Sequence, residues 1–131
     1  RSAMLDYDTY FKAVDGQVND VFYYYREQAE FKARQYQRAL DDIAKAIELN
    51  PKELTYFSEL AVVNIRVGRN EEAIKVLKDA LEIDSKYAEA YRLKGICLIQ
   101  LKKQEEACAN FAKAKELGDA NVDELIKKHC K

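Results

Sequence analysis

Six alanines held to one 34-residue period constrain this chain more than any other feature. Ala39, Ala73 and Ala107 recur at that interval, and so do Ala46, Ala80 and Ala114. The two alanines of each unit are seven residues apart, two helical turns, so they share one helix face. Ile43, Leu77 or Phe111 lies between them on that face. Glu48, Glu82 and Glu116 follow at the same period, then Leu49, Ile83 and Leu117. Upstream, Tyr23, Phe57 and Tyr91 recur at 34, as do Phe31, Ile65 and Ile99. Antiparallel helices approach closely only where side chains are small, so the alanines mark the crossing inside a helical hairpin. One hairpin leaves an apolar face uncovered, and stacking several covers it. The pattern predicts an all-α chain of stacked hairpins.

The breakers agree. Asn50-Pro51 closes the first unit, Gly68 opens the turn inside the second, and Gly118-Asp119 closes the third. One proline and four glycines are too few for most β architectures, which need turn residues every ~8–12 positions. The 131 residues suffice for one domain. The 22 basic and 23 acidic residues are interspersed, which argues against nucleic acid or an anionic membrane as the main partner, since both need a clustered basic face. No apolar run approaches the ~18 residues of a membrane span. The chain starts at Arg1 rather than methionine, so its N-terminal side reads as cut.

With these residues in place the sequence resembles the tetratricopeptide repeat family, whose pattern runs W-x2-L-G-x2-Y, A-x3-F, A, P over 34 residues. The third unit, residues 88–120, carries Tyr91, Gly95, Leu98, Ala107, Phe111 and Ala114. The second, 54–87, carries Phe57, Leu60, Ala61, Ala73, Leu77 and Ala80; the first, 20–53, carries Tyr23, Ala39, Ile43, Ala46 and Pro51. The first unit departs from the pattern where Arg26 and Glu27 replace the leucine and glycine. The resemblance covers about three quarters of the chain. It implies a right-handed superhelical solenoid of three such hairpins, with a helix at either end.

At the N-terminus, residues 2–19 hold a predicted helix from about Ser2 to Val14, with Ala3, Tyr7 and Tyr10 on one face and Asp15-Gly16 as its break. It is either the second half of a fourth hairpin or a short cap. At the C-terminus, 121–131 is predicted as a capping helix that ends the chain. Asn121 and Glu124 form a capping box and Val122, Leu125 and Ile126 an apolar stripe.

Catalytic or metal chemistry finds no foothold in the sequence. His129 is the single histidine, and adjacent Cys130 points a different way on a helix, so the two do not start a metal site. The sequence contains no HExxH, phosphate loop or nucleophile elbow, so neither catalytic residue, metal nor cofactor is expected. The acidic pairs Glu71-Glu72 and Glu105-Glu106 occupy helix starts, where they oppose the helix dipole favourably. Cys97, Cys108 and Cys130, an odd number without a CxxC pair, argue against a disulfide framework and favour a reducing, cytoplasmic compartment. Secretion or a periplasmic location stays open, because the start of the chain is missing. Cys97 and Cys108 read as buried small hydrophobes, with a bridge between the two as the alternative.

The resemblance implies that the first helix of each unit lines an inner surface at its second, fifth, ninth, twelfth and thirteenth places. These are Val21, Tyr24, Gln28, Phe31 and Lys32; Thr55, Ser58, Val62, Ile65 and Arg66; and Glu89, Arg92, Ile96, Ile99 and Gln100. The expected protein-binding set is Tyr24, Gln28, Phe31, Ser58, Val62, Ile65, Arg66, Arg92, Ile96, Ile99 and Gln100. It has an apolar middle and a polar rim, the composition of a peptide groove. Phe31, Ile65 and Ile99 either line that groove or partly pack between hairpins. Family members that grip the carboxylate of chaperone tails use lysine and asparagine at these places; here stand Tyr24, Gln28, Ser58, Glu89 and Arg92, so that clamp is absent.

The expectation is a non-catalytic module that binds a peptide or helical segment of an unidentified protein. The alternative is a structural spacer or self-association scaffold. Six of the nine tyrosines precede residue 37, and this N-terminal edge is the expected place for self-association. Replacing Arg92 by glutamate is expected to weaken partner capture with melting nearly unchanged.

Overall fold

The computed structural model describes residues 19–130. Among them seven helices follow in order: α1 (Asp20–Lys32), α2 (Tyr36–Leu49), α3 (Leu54–Arg66), α4 (Asn70–Ile83), α5 (Ala88–Gln100), α6 (Gln104–Glu116) and α7 (Asp123–His129). Pairs α1/α2, α3/α4 and α5/α6 pack as hairpins, and each hairpin stacks on the next through α2 on α3, α4 on α5 and α3 on α5. This is the all-α solenoid that the period predicts. The predicted N-terminal helix, with Tyr7, Tyr10 and the self-association edge, lies outside the described residues.

All six periodic alanines are completely buried. They sit where the paired helices touch, and Ile43, Leu77 and Phe111 between them are buried as fully. One core cluster joins Ala61, Ala73, Leu77, Ala90, Leu93 and Cys97 across the second and third hairpins. Another joins Leu98, Ala107, Phe111, Ala114 and Val122. The first hairpin meets the second through Ile43, Ala46 and Tyr56.

The turns repeat as faithfully as the crossings. Gly68 (φ 85°) takes the left-handed conformation inside the second hairpin, Arg34 (φ 63°) and Lys102 (φ 65°) take it at the equivalent places of the other two, and Gly118 (φ 98°) takes it after the third. At each the chain closes with the same six-to-one bond: Gln35 N–H to Glu30, Arg69 to Asn64, Lys103 to Leu98, and Asp119 to Ala114, at 2.8–3.0 Å. The sequence marks only the two turns where glycine removes the Cβ penalty; at Arg34 and Lys102 the hairpin imposes the conformation despite it.

Two expectations about the C-terminal end need correction. The capping box does not form. Val122, not Asn121, precedes α7 and no side chain caps it, while the Asn121 N–H bonds the Asp119 carboxylate at 2.7 Å. Val122 is drawn into the core beside Phe111, with Leu125 and Ile126 packed around it, and that burial fixes the register of the turn. A disulfide is also present, joining Cys108 to Cys130 with Cα atoms 5.8 Å apart. It could not be read from spacing because α7 folds back on α6 across 22 residues. Cys97 faces the opposite way into the core, and burial pushes its thiol up to about 11. The bridge between Cys97 and Cys108 is therefore excluded, and the cysteine count no longer argues for a reducing compartment.

Crossing geometry gives a prediction in which two effects of opposite sign compete. A Cβ added at Gly95 would strike the ring of Phe111. Gly95→Ala gains ~1 kcal/mol of helix propensity but overpacks a crossing at a cost of ~1–3 kcal/mol. The expected net result is a lower urea midpoint with unchanged slope; a higher midpoint would show that the ring has room to move.

Candidate protein-binding face

The first helices α1, α3 and α5 carry the expected inner places, and their side chains divide into three groups. Tyr24, Gln28, Phe31 and Val62 are half-buried. Gln28, Phe31, Lys32, Glu59 and Val62 line a cavity of about 240 Å³ between α1 and α3. The Arg66 guanidinium lies 5.3 Å above the Phe31 ring, and the rings of Tyr24 and Tyr56 stand 5.2 Å apart. Gln100, at the far end, is exposed.

A second group turns out to be part of the core margin. Val62, Ile65 and Ile96 pack against the cluster around Leu77, and Ile96 and Ile99 against the cluster around Phe111. The apolar middle of the face therefore serves stacking as well as the surface. The open strip is narrower and more polar than the composition of those places implies.

The third group is already engaged. Ser58 is buried, its hydroxyl 2.5 Å from that of Tyr87. Tyr87 donates onward to Glu89 at 2.9 Å, and Glu89 lies 3.6 Å from Arg92. Arg92 donates to Asp119 at 2.7 Å. A polar chain thus runs along the face from the second hairpin to the loop after α6. Burial, with the charge of Glu89 adding to it, pushes the Tyr87 hydroxyl up to about 12, so it remains a donor at neutral pH.

The first hairpin holds a set of charges that the inner places do not include. Arg26 grips Asp42 through two hydrogen bonds of 2.8 and 3.0 Å and lies 3.7 Å from Glu30. Arg38 reaches Glu30 at 3.6 Å. Glu27 and Glu30 are buried, and no described donor reaches either oxygen of Glu27 or one oxygen of Glu30. The group facing Glu27 is the carboxyl of Glu59 from α3, which can bond it only when one of the two is protonated. Burial, then the charge of Glu59, raises Glu27 to about 9; burial, then its contact with Asp42, raises Glu30 to about 8. Burial also raises Glu59, against a hydrogen bond from Glu27 that lowers it. The available sequence signal was the departure at Arg26-Glu27. Nothing in the spacing pointed to Glu59 as the partner, because that pairing crosses from one hairpin to the next.

A larger cavity, about 550 Å³, lies away from this face between α4, α5 and α6, with Ile74 and Leu98 below and Lys75, Lys78, Lys94 and Lys103 around it. Among the described residues no group of three or more histidines, cysteines or acids is arranged to hold a metal ion. No helix there is long and apolar enough to cross a membrane.

Hairpins crossed on alanine, stacked in register and presenting their first helices on one side define a helical-repeat protein built around an extended face. The tetratricopeptide repeat profile matches residues 28–88 and again 65–122, and the chain belongs to that family. It is 35% identical over 96 residues to small glutamine-rich tetratricopeptide repeat-containing protein 2 of Mycosarcoma maydis, an alignment covering 73% of this chain. It spans only about a quarter of that relative's length (27%). Among solved structures it is similar to YrrB, described as a TPR protein with an unusual peptide-binding site, with a TM-score of 0.80 at 22% identity, covering 93% of this chain and 64% of that one. It is also similar to the first TPR of Spaghetti (RPAP3), bound to the HSP90 peptide SRMEEVD, with a TM-score of 0.76 at 20% identity, covering 84% and 89%. At these identities the structural likeness establishes the fold.

Two predictions follow from the charges. Glu27 has a folded-state value above its ordinary 4.5, so the folded chain keeps a proton that the unfolded chain releases. Stability from this group is complete below about pH 4.5 and is lost as pH rises toward about 9, by at most ~1.4 kcal/mol per pH unit. Glu27→Gln removes that slope, so its melting temperature should exceed the parent's at pH 8 and converge with it near pH 4.5; parallel curves would refute the assignment. The sequence alone predicts nearly unchanged melting for Arg92→Glu, but Asp119 beneath Arg92 is 6% exposed and accepts a 2.7 Å bond from its guanidinium. Charge reversal there strands a buried carboxylate beside a new one, and urea titration should show a loss of ~2–3 kcal/mol.

Proposed function

We propose that this chain is a non-catalytic interaction module that holds an extended or helical segment of another protein across α1, α3 and α5. The supporting observation is the strip formed by Tyr24, Gln28, Phe31 and Val62. It stays half-open beside a cavity while the polar groups around it are tied into intramolecular bonds. Aromatic and aliphatic side chains edged by a few polar groups are the usual makings of a peptide groove. Ser58 and Arg92 shape its wall and end through the Tyr87–Glu89 chain, so Tyr24, Gln28, Phe31 and Val62 are assigned the direct contacts. The solved relative with its bound peptide is consistent with this use of the fold.

The test is selection of 12-residue peptides from a displayed random library on the isotope-labelled domain. Selected peptides should shift the backbone amides of Tyr24, Gln28, Phe31 and Val62. The double variant Phe31→Ala/Val62→Ala should bind them at least ~10-fold more weakly, ~1.4 kcal/mol, while its circular dichroism stays helical. Shifts confined to α2, α4 and α6, with affinity unaffected by the double variant, would overturn the assignment.

A further inference from the structure

Glu27 occupies the place in its unit that Ala61 and Gly95 hold in the other two. A carboxyl at a helix crossing has nowhere to go but inward, and this one is fully buried with both oxygens out of reach of every described donor. Such a group is costly unless something answers its charge. The nearby arginines are spent elsewhere. Arg26 and Arg38 are engaged with Asp42 and Glu30 on the α2 side, and Arg66 lies on the Phe31 ring. Lys32 borders the cavity, yet among the described residues no lysine or arginine is ion-paired with Glu27 or Glu59.

What faces Glu27 is Glu59, and Glu59 is half-exposed on the floor of the cavity. Two carboxyls in contact resist joint ionisation, which favours a state with one shared proton and one negative charge. The deeper Glu27 retains the proton and donates it to Glu59, whose carboxylate then bears the charge. That leaves one carboxylate, held from beneath and lacking a cation of its own. Phe31 and Val62 stand as apolar walls, with the Gln28 amide beside them. Glu89 on α5 adds to the negative potential at Glu59.

We infer that this notch anchors a basic side chain of the bound segment, arginine first, with Glu59 accepting its hydrogen bonds and Glu27 acting as the positioning residue beneath. A guanidinium fits because its fork pairs with a carboxylate through two bonds while its stem packs along apolar walls. The inference rests on the peptide face proposed above and specifies its ligand as basic and apolar. That is opposite in charge to the acidic SRMEEVD peptide bound by the solved relative.

The probe is N-acetyl-arginine amide, with N-acetyl-citrulline amide as its neutral isostere, titrated into the labelled domain. The arginine derivative should shift Gln28, Phe31, Glu59 and Val62, and citrulline should bind at least ~10-fold more weakly. Glu59→Gln should erase that preference while leaving the melting temperature within a few degrees. Glu27→Gln, whose amide can still donate to Glu59, should retain it, and Glu27→Ala should lose most of it. Equal response to citrulline, or an arginine response unchanged in Glu59→Gln, overturns the notch. The displayed peptides separate the two proposals. Peptides that shift this face without enrichment in arginine or lysine, and bind Glu59→Gln equally well, remove the notch and leave the peptide face standing. Peptides that never touch this face remove the peptide face and, with it, the notch as an anchor for a bound segment.

Discussion

Close contact between the two helices of each hairpin is the constraint from which the rest of the molecule follows. Six alanines with no exposed surface let backbones meet at regular intervals, and the large residue between each pair fills what the small ones leave. Because every unit has the same crossing, every unit has the same inner turn, down to the six-to-one bonds after α1, α3 and α5. A stack built this way extends in one dimension and sets its first helices side by side. An extended face is therefore a consequence of the crossing, not a separate invention.

Variation at that crossing is where the three units acquire different properties. Gly95 stands opposite Phe111, the smallest side chain facing the largest, and Phe111 joins an apolar cluster with Leu98, Ala107, Ala114 and Val122. In the second unit the corresponding residues are Ala61 and Leu77, both in one apolar cluster. The first unit places Glu27 and Ile43 there, and with Arg26 beside it the hairpin becomes a network of charges around Asp42 and Glu30. The same structural position is thus a packing device in two units and a source of polarity in the third. The polarity reaches solvent through Arg38 within the hairpin and meets Glu59 of the neighbouring hairpin at Glu27.

Intramolecular bonds also narrow what the face can do. Ser58, Tyr87, Glu89, Arg92 and Asp119 spend their polar capacity on one another, joining α3, α5 and the loop before α7. The same end is tied by the Cys108–Cys130 bridge and by Val122 in the core. The C-terminal third of the face is thereby stiffened and partly neutralised. Half-buried side chains beside a cavity remain at the α1/α3 end, around Gln28, Phe31 and Val62.

The sequence by itself determined the period, the hairpins, the buried alanines and the family, because these depend on residue size at fixed spacing along one helix or one hairpin. Through the family resemblance it also named the helices expected to line the face, and its departure at Arg26-Glu27 marked the unusual unit. Only the tertiary structure decided which inner places stay open and which are consumed. Ser58 meets Tyr87 across 29 residues, Arg92 meets Asp119 across 27, Cys108 meets Cys130 across 22, and Glu27 meets Glu59 from the next hairpin. Each of these partnerships depends on how one hairpin is laid against the next segment. A repeat fixes that placement to within a helix, whereas a hydrogen bond requires it to within a fraction of an ångström.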